Sequence, residues 1–147
     1  MLLKECAALS GNNNKTILVV EDDADMNDLI CSVLEEAGYK TISVATGEKG
    51  LETANQSKPD LVLLDIELPQ MDGIEVCRAI SSNEKTRSIP VIMVTINRDI
   101  SMKLSSYIAG ARRYITKPFG VDELVGEVRK TLRQLDLPVS DFLDPRD

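Results

Sequence analysis

A chain of 147 residues, 43% apolar and 28% charged, has the size and balance of one globular domain with tails, which excludes disordered and fibrous classes. Its formal net charge of −7 argues against a basic patch for nucleic acid, and no apolar run approaches the ~18 to 20 residues that span a bilayer. Cys6, Cys31 and Cys77 lack C-x-x-C spacing and read as reduced thiols with a cytoplasmic address, while the absence of histidine removes serine-triad, imidazole-metal and phosphocarrier chemistry.

The opening Met1-Leu2-Leu3-Lys4, with an apolar patch ending by Leu9, is too short for a signal peptide. Residues 1–14 close on the polar cluster Ser10-Gly11-Asn12-Asn13-Asn14 and are expected to form a flexible extension, with the domain over 15–135. The first strand, expected over 16–20, ends in Glu21-Asp22-Asp23. A helix follows with Met26, Leu29, Ile30, Val33, Leu34 and Ala37 on one stripe and Gly38 where a C-terminal cap would fall. Strand two is placed over 41–45, and Thr46 can cap the second helix. Pro59 precedes strand three, 60–64, whose apolar run Leu61-Val62-Leu63-Leu64 ends at Asp65. Helix three starts near Gly73 and carries Ile74, Cys77 and Ile80; strand four covers 90–95 and ends at Thr95. In helix four the spacing of Ile100, Leu104, Tyr107, Ile108 and Ala111 predicts a buried face. Strand five covers 112–116, and Lys117 follows it. Val121, Leu124, Val125, Val128, Leu132 and Leu135 form the apolar stripe of helix five. The tail, 136–147, holds two prolines and four acids without periodicity.

This alternation implies an α/β fold: a three-layer, doubly wound (βα)₅ arrangement with a five-stranded parallel sheet and helices on both faces. In the flavodoxin-like strand order 2-1-3-4-5, ligands bind at the switch between strands one and three. Those are the two strands that end in acid. Parallel strands bring their C-terminal ends side by side, so the carboxylates converge at one sheet edge on a shared divalent cation, with a candidate nucleophile, Asp65, among them.

Taken together, Ile17-Leu18-Val19-Val20-Glu21-Asp22-Asp23, Asp60-Leu61-Val62-Leu63-Leu64-Asp65, Leu68-Pro69-Gln70-Met71-Asp72-Gly73, Val94-Thr95 and Tyr114-Ile115-Thr116-Lys117-Pro118-Phe119 resemble the receiver domain of two-component response regulators over roughly 15–135. The resemblance implies a phospho-acceptor signalling module that takes a phosphoryl group on Asp65 from a partner histidine kinase or phosphotransfer protein, with no catalysis beyond its own phosphorylation and dephosphorylation. Mg²⁺, or Mn²⁺ in its place, suits the carboxylates because it takes oxygen ligands and keeps several waters. Asp22 is the expected direct ligand, with Glu21 acting directly or through water, Asp65 as the third carboxylate and, by resemblance, the Glu67 backbone carbonyl. Lys117 should place a fixed positive charge on the phosphoryl group and Thr95 a hydroxyl donor. The resemblance further implies that Thr95 moves toward the phosphoryl group and Tyr114 rotates inward, altering the helix four, strand five and helix five surface, and that Lys117-Pro118 is cis.

Each residue alone has a plainer reading. The Glu21-Asp22-Asp23 acids favour a helix N-terminus, Asp65 could cap a loop, Lys117 could be a solvated lysine, Thr95 a strand former, Tyr114 a packing residue and Asp72-Gly73 a turn. Their joint appearance at strand ends favours the site. A rival enzyme class, the Mg²⁺-dependent aspartyl-phosphate phosphatases and mutases of the haloacid dehalogenase family, expects an aspartate two residues after the nucleophile, where Glu67 stands, and a later acidic pair that is missing. A receiver-like domain that only binds partners and is never phosphorylated is opposed by the complete acceptor set.

Departures from the receiver pattern touch access and partners. Ile96 stands where the family usually has a small residue, so its bulk should narrow access to Asp65; Glu67 and Asn97 lie where the family tunes phosphoryl lifetime. Arg112 and Arg113 replace acids common in winged-helix transcription-factor receivers, and Asp122 falls where those often have a base, which weakens the expectation of their symmetric dimer through helix four, strand five and helix five. No output domain is visible, so the chain is expected to act through an unknown downstream protein or to be one piece of a longer polypeptide, with neither nucleic acid nor membrane as a direct partner.

Overall fold

The computed structural model describes residues 14–135; the expectations for 1–13 and 136–147, and for the Leu135 side chain, lie outside the described residues. Strands β1 (Thr16–Val20), β2 (Lys40–Val44), β3 (Leu61–Leu64), β4 (Val91–Thr95) and β5 (Arg113–Thr116) alternate with helices α1 (Ala24–Glu36), α2 (Gly47–Ser57), α3 (Gly73–Ser82), α4 (Ile100–Ile108) and α5 (Val121–Leu135). All strand pairs are parallel, in the order β2-β1-β3-β4-β5 that the alternation predicts. Strand bounds shift by one residue from the sequence reading: β2 starts and ends one residue earlier, and β3, β4 and β5 each start one later, the ordinary scatter at element ends. No helix among the described residues is long and apolar enough to cross a membrane.

Because side chains alternate along a strand, the sheet splits its apolar residues between two layers. Leu18, Val20, Val62, Leu64, Val91 and Met93 point to one face, where Ala54, Val76, Cys77 and Ile80 from α2 and α3 cover them. Ile17, Val19, Leu61, Leu63, Ile92 and Val94 point to the other, covered by Ile30 and Leu34 of α1 and Leu124, Val128 and Leu132 of α5. Burying one such side chain is worth about 1.5 to 3 kcal/mol, so the doubly covered central strands hold the frame. Cys77, in the first layer, has its thiol pushed up to about 11 by burial, which leaves it a packing residue rather than a nucleophile.

Local signals set the helix ends. Asp23 accepts from the Asp25 and Met26 amides, Thr46 from the Lys49 amide and Asp72 from the Ile74 amide. Gly38, at φ 99°, follows α1 in the left-handed region that glycine adopts without strain.

Helix α4 corrects the expectation of a buried apolar face. Ile100, Leu104 and Ile108 are 82%, 58% and 76% exposed, and Tyr107 is exposed beside them. The face against the sheet is instead Met102, Ser105, Ser106 and Ala109, with Ser106 fully buried. The physical reason is that Ser106 returns its hydroxyl to the Met102 carbonyl of its own helix at 2.8 Å, so a polar side chain is buried without an unmet hydrogen bond. Leu29 and Val121, also expected inside, are exposed; they sit at the margins of the α1 and α5 stripes.

Candidate functional site

Strand register builds the site. Val20 pairs with Leu64, so the next residues, Glu21 and Asp65, leave adjacent strands together, and the Asp65 amide donates to the Val20 carbonyl. Thr95 pairs with Thr116 at the end of β4 and β5, and the Lys117 amide donates to the Thr95 carbonyl at 2.9 Å. Glu21, Asp22 and Asp65 each offer a carboxylate oxygen, all within 4.8 Å of one another; Glu21 and Asp65 are buried and Asp22 is exposed.

Lys117 crosses to this acidic edge. Its Nζ donates to Asp65 Oδ2 at 3.0 Å and to Glu21 Oε1. Burial alone would pull the Lys117 ammonium down, but the Glu21 and Asp65 hydrogen bonds and charges outweigh it and hold the group above the ordinary lysine range. The second Asp65 oxygen, Oδ1, accepts from the Glu67 amide at 3.1 Å, which fixes the carboxylate's rotation. Glu21 Oε2 likewise accepts from the Asp23 amide. Three carboxylates against one ammonium leave a negative excess, and hard oxygen donors with one exposed member suit a hydrated divalent cation.

The remaining candidates lie around this centre. Thr95 is fully buried, and its Oγ1 accepts from the Asn97 amide at 3.3 Å, an arrangement that leaves its own hydrogen able to donate. Tyr114 is half-buried and donates its hydroxyl to the Asn97 carbonyl at 2.6 Å; burial, then the charges of Asp65, Glu67 and Asp99, push its pKa up. Ile96 is 62% exposed on the β4–α4 loop and Glu67 is exposed after β3. The Lys117-Pro118 peptide bond is cis.

The acidic triad divides its work. Glu21 and Asp22 belong to the carboxylate cluster, whereas Asp23 is the helix cap, so for that residue the plainer reading is the right one. Two contributors, Asn27 and Arg98, escaped sequence reasoning, and a third, Gly73, was read only as a turn and a helix start. Asn27 is buried and its Nδ2 donates to the Glu21 and Val44 carbonyls, clamping the Glu21 backbone; the one signal for it in the sequence is a polar residue within the apolar stripe of α1. Gly73 lies against the Asp65 and Ile66 backbone and donates its amide to the Ile66 carbonyl at 2.8 Å. Arg98 reaches the Lys117 carbonyl, a pairing between loops for which no spacing in the chain is a signal.

Residues 17–129 match the model of the response regulator receiver domain. The DNA-binding dual master transcriptional regulator RpaA of Synechocystis is 42% identical over 120 residues, covering 82% of this chain and 50% of that protein. The phosphate regulon transcriptional regulatory protein PhoB of Pseudomonas aeruginosa is 39% identical over 120 residues, covering 82% and 52%. Among solved structures, a CheY-like response regulator receiver domain protein from Methanospirillum hungatei superposes with a TM-score of 0.79 at 31% identity, covering 83% of this chain and 96% of that one. The BeF3-activated N-terminal receiver domain of Klebsiella pneumoniae RstA gives 0.75 at 31% identity, covering 81% and 99%. The chain spans about half the length of the curated relatives it matches. On this match, and on the fold shared with solved receiver domains, the chain belongs to the response regulator receiver domain family.

Proposed function

We propose that Asp65 is the phosphoryl acceptor, and the observation that carries this reading is its carboxylate held at the sheet edge by Lys117 at 3.0 Å and the Glu67 amide at 3.1 Å beside Glu21 and Asp22. An Asp65 oxygen forms the bond to phosphorus as the bond to the imidazole nitrogen of a partner's phosphohistidine breaks, and the imidazole takes up a proton. The donor histidine comes from a kinase or phosphotransfer protein, because this chain has none. Charge on the transferring group spreads over its outer oxygens, where Lys117 supplies an ammonium and Thr95 a hydroxyl donor. Glu21, Asp22, Asp65 and the Glu67 carbonyl would hold Mg²⁺ or Mn²⁺, which when bound neutralises the negative charge that would otherwise repel the donor. Asp65 also donates to no other substrate in this reading: the domain is a switch in the cytoplasm rather than an enzyme.

The output is the surface beside Thr95. Tyr114 ties the β4–α4 loop through Asn97, and α4 displays Ile100, Leu104 and Ile108 to solvent. We infer that phosphorylation re-aims this face toward a downstream protein, a second copy, or an output domain on the same polypeptide.

Incubation with acetyl phosphate and Mg²⁺, read by intact mass, is expected to add one phosphoryl group to the wild type and none to Asp65→Asn; uptake by the variant would sink the assignment. Ile96→Ala, at an exposed position that leaves the core intact, is expected to speed uptake from acetyl phosphate or phosphate loss. Identical rates in both directions would remove Ile96 as an access barrier.

A further inference from the structure

Lys117 is gripped on both sides of its backbone by one segment. Its amide donates to the Thr95 carbonyl at 2.9 Å, and its carbonyl accepts from Arg98 Nη2 at 3.2 Å. The segment is also internally tied: the Asn97 amide donates to Thr95 Oγ1 and the Asp99 amide, just past Arg98, to Asn97 Oδ1 at 2.9 Å. Tyr114 adds the third anchor through the Asn97 carbonyl. The loop that carries the Thr95 hydroxyl is therefore stapled to the residue whose ammonium reaches Asp65 and Glu21.

We propose that Arg98 is a positioning residue that joins the Thr95 loop to Lys117, so that the Thr95 hydroxyl and the Lys117 ammonium keep one fixed separation. A lysine side chain has four rotatable bonds, and the direction in which it leaves the backbone decides whether its Nζ meets two carboxylates at once. The amide bond to Thr95 restrains one side of the Lys117 Cα; the guanidinium restrains the other. Arg98 is itself exposed and touches neither Asp65 nor any other carboxylate of the cluster, so its influence runs through Lys117 alone.

The proposal rests on Asp65 as acceptor, and its test separates the two. Wild type, Arg98→Ala and Arg98→Lys are compared for the rate of Asp65 phosphorylation across acetyl phosphate concentrations at saturating Mg²⁺. Arg98→Ala is expected to lower the maximal rate about five-fold, the scale of one exposed hydrogen bond, without moving the half-saturating donor concentration. Arg98→Lys should recover most of the rate, because an ammonium can donate to the same carbonyl. An unchanged rate in Arg98→Ala, or a lysine variant as slow as the alanine one, would overturn the idea while leaving wild-type uptake at Asp65 intact. Carbon-13 spectra give a second readout independent of phosphorylation: the Lys117 carbonyl resonance should shift in Arg98→Ala and return in Arg98→Lys, and a resonance indifferent to both changes refutes the bond.

Discussion

Gly73→Ala is expected to destabilise the domain by about 3 kcal/mol or more, at the upper end of overpacking costs, and to lower Tm by on the order of 10 °C. A Cβ at this position would collide with the Asp65 carbonyl oxygen and stand 2.6 Å from the Ile66 Cα. Both obstacles are backbone, so no rotamer change relieves them. Relief requires the start of α3 to back away from the end of β3, which carries the Asp65 carboxylate with it. The variant should therefore lose phosphoryl uptake even under conditions where it is folded. Gly126→Ala in α5 is the matched control: nothing lies within 4 Å of its added Cβ, and alanine in a helix interior is expected to gain about 0.5 to 1 kcal/mol. Urea denaturation of both variants checks the pair, and equal midpoints for Gly73→Ala and wild type would contradict the packing described.

Lys117→Met should be the most damaging change inside the site. It keeps all but the last atom of the side chain's length and removes the only charge that, among the described residues, the buried Glu21 and Asp65 share as a hydrogen-bond donor. Breaking such a group from one side leaves uncompensated buried charge, at a cost of about 3 kcal/mol. Burial already pushes Glu21 above its ordinary carboxylate range, and the ion pair with Lys117 is the leading influence that offsets it. With the ammonium gone the negative excess at the carboxylates grows, so millimolar Mg²⁺ should stabilise the variant more than the wild type, measured as the shift in urea midpoint. The phosphorylation rate is expected to fall on the order of 10²-fold, as for loss of one preorganised donor. Equal Mg²⁺ shifts in the two proteins would show that Lys117 does not set the charge of the cluster.

The sheet was legible because strands buried on both faces must be nearly all apolar, and β1, β3 and β4 are. Parallel pairing then left no freedom about where Glu21, Asp65, Thr95 and Lys117 fall, since each is the first residue after a strand or the last within one. Burial around α4 was not legible. Periodicity identifies an apolar stripe but not which side of the helix meets the sheet, and a serine that bonds its own helix hides a buried face behind a polar letter. Asn27 carried no signal for a different reason: its amide meets two carbonyls that only the folded chain brings together. Arg98 could not be read because its acceptor is a backbone carbonyl, which every residue possesses.

Helix α4 is capped by Asp99 without a side-chain hydrogen bond to its first turn, has no acid in that turn and no base in its last, and buries only Ser106 along its nine residues. A helix held this way has a nearly level free-energy surface for small slides and rotations, because little apolar area changes hands as it moves. Two placements of α4 can then lie within a few kcal/mol of each other, and a coupling of about 1 to 3 kcal/mol arriving through Thr95 and Asn97 shifts their ratio by roughly five- to 150-fold. On the proposed reading of Asp65 as acceptor, the loose seat that hides this helix's buried face from periodicity would also let it answer a distant carboxylate.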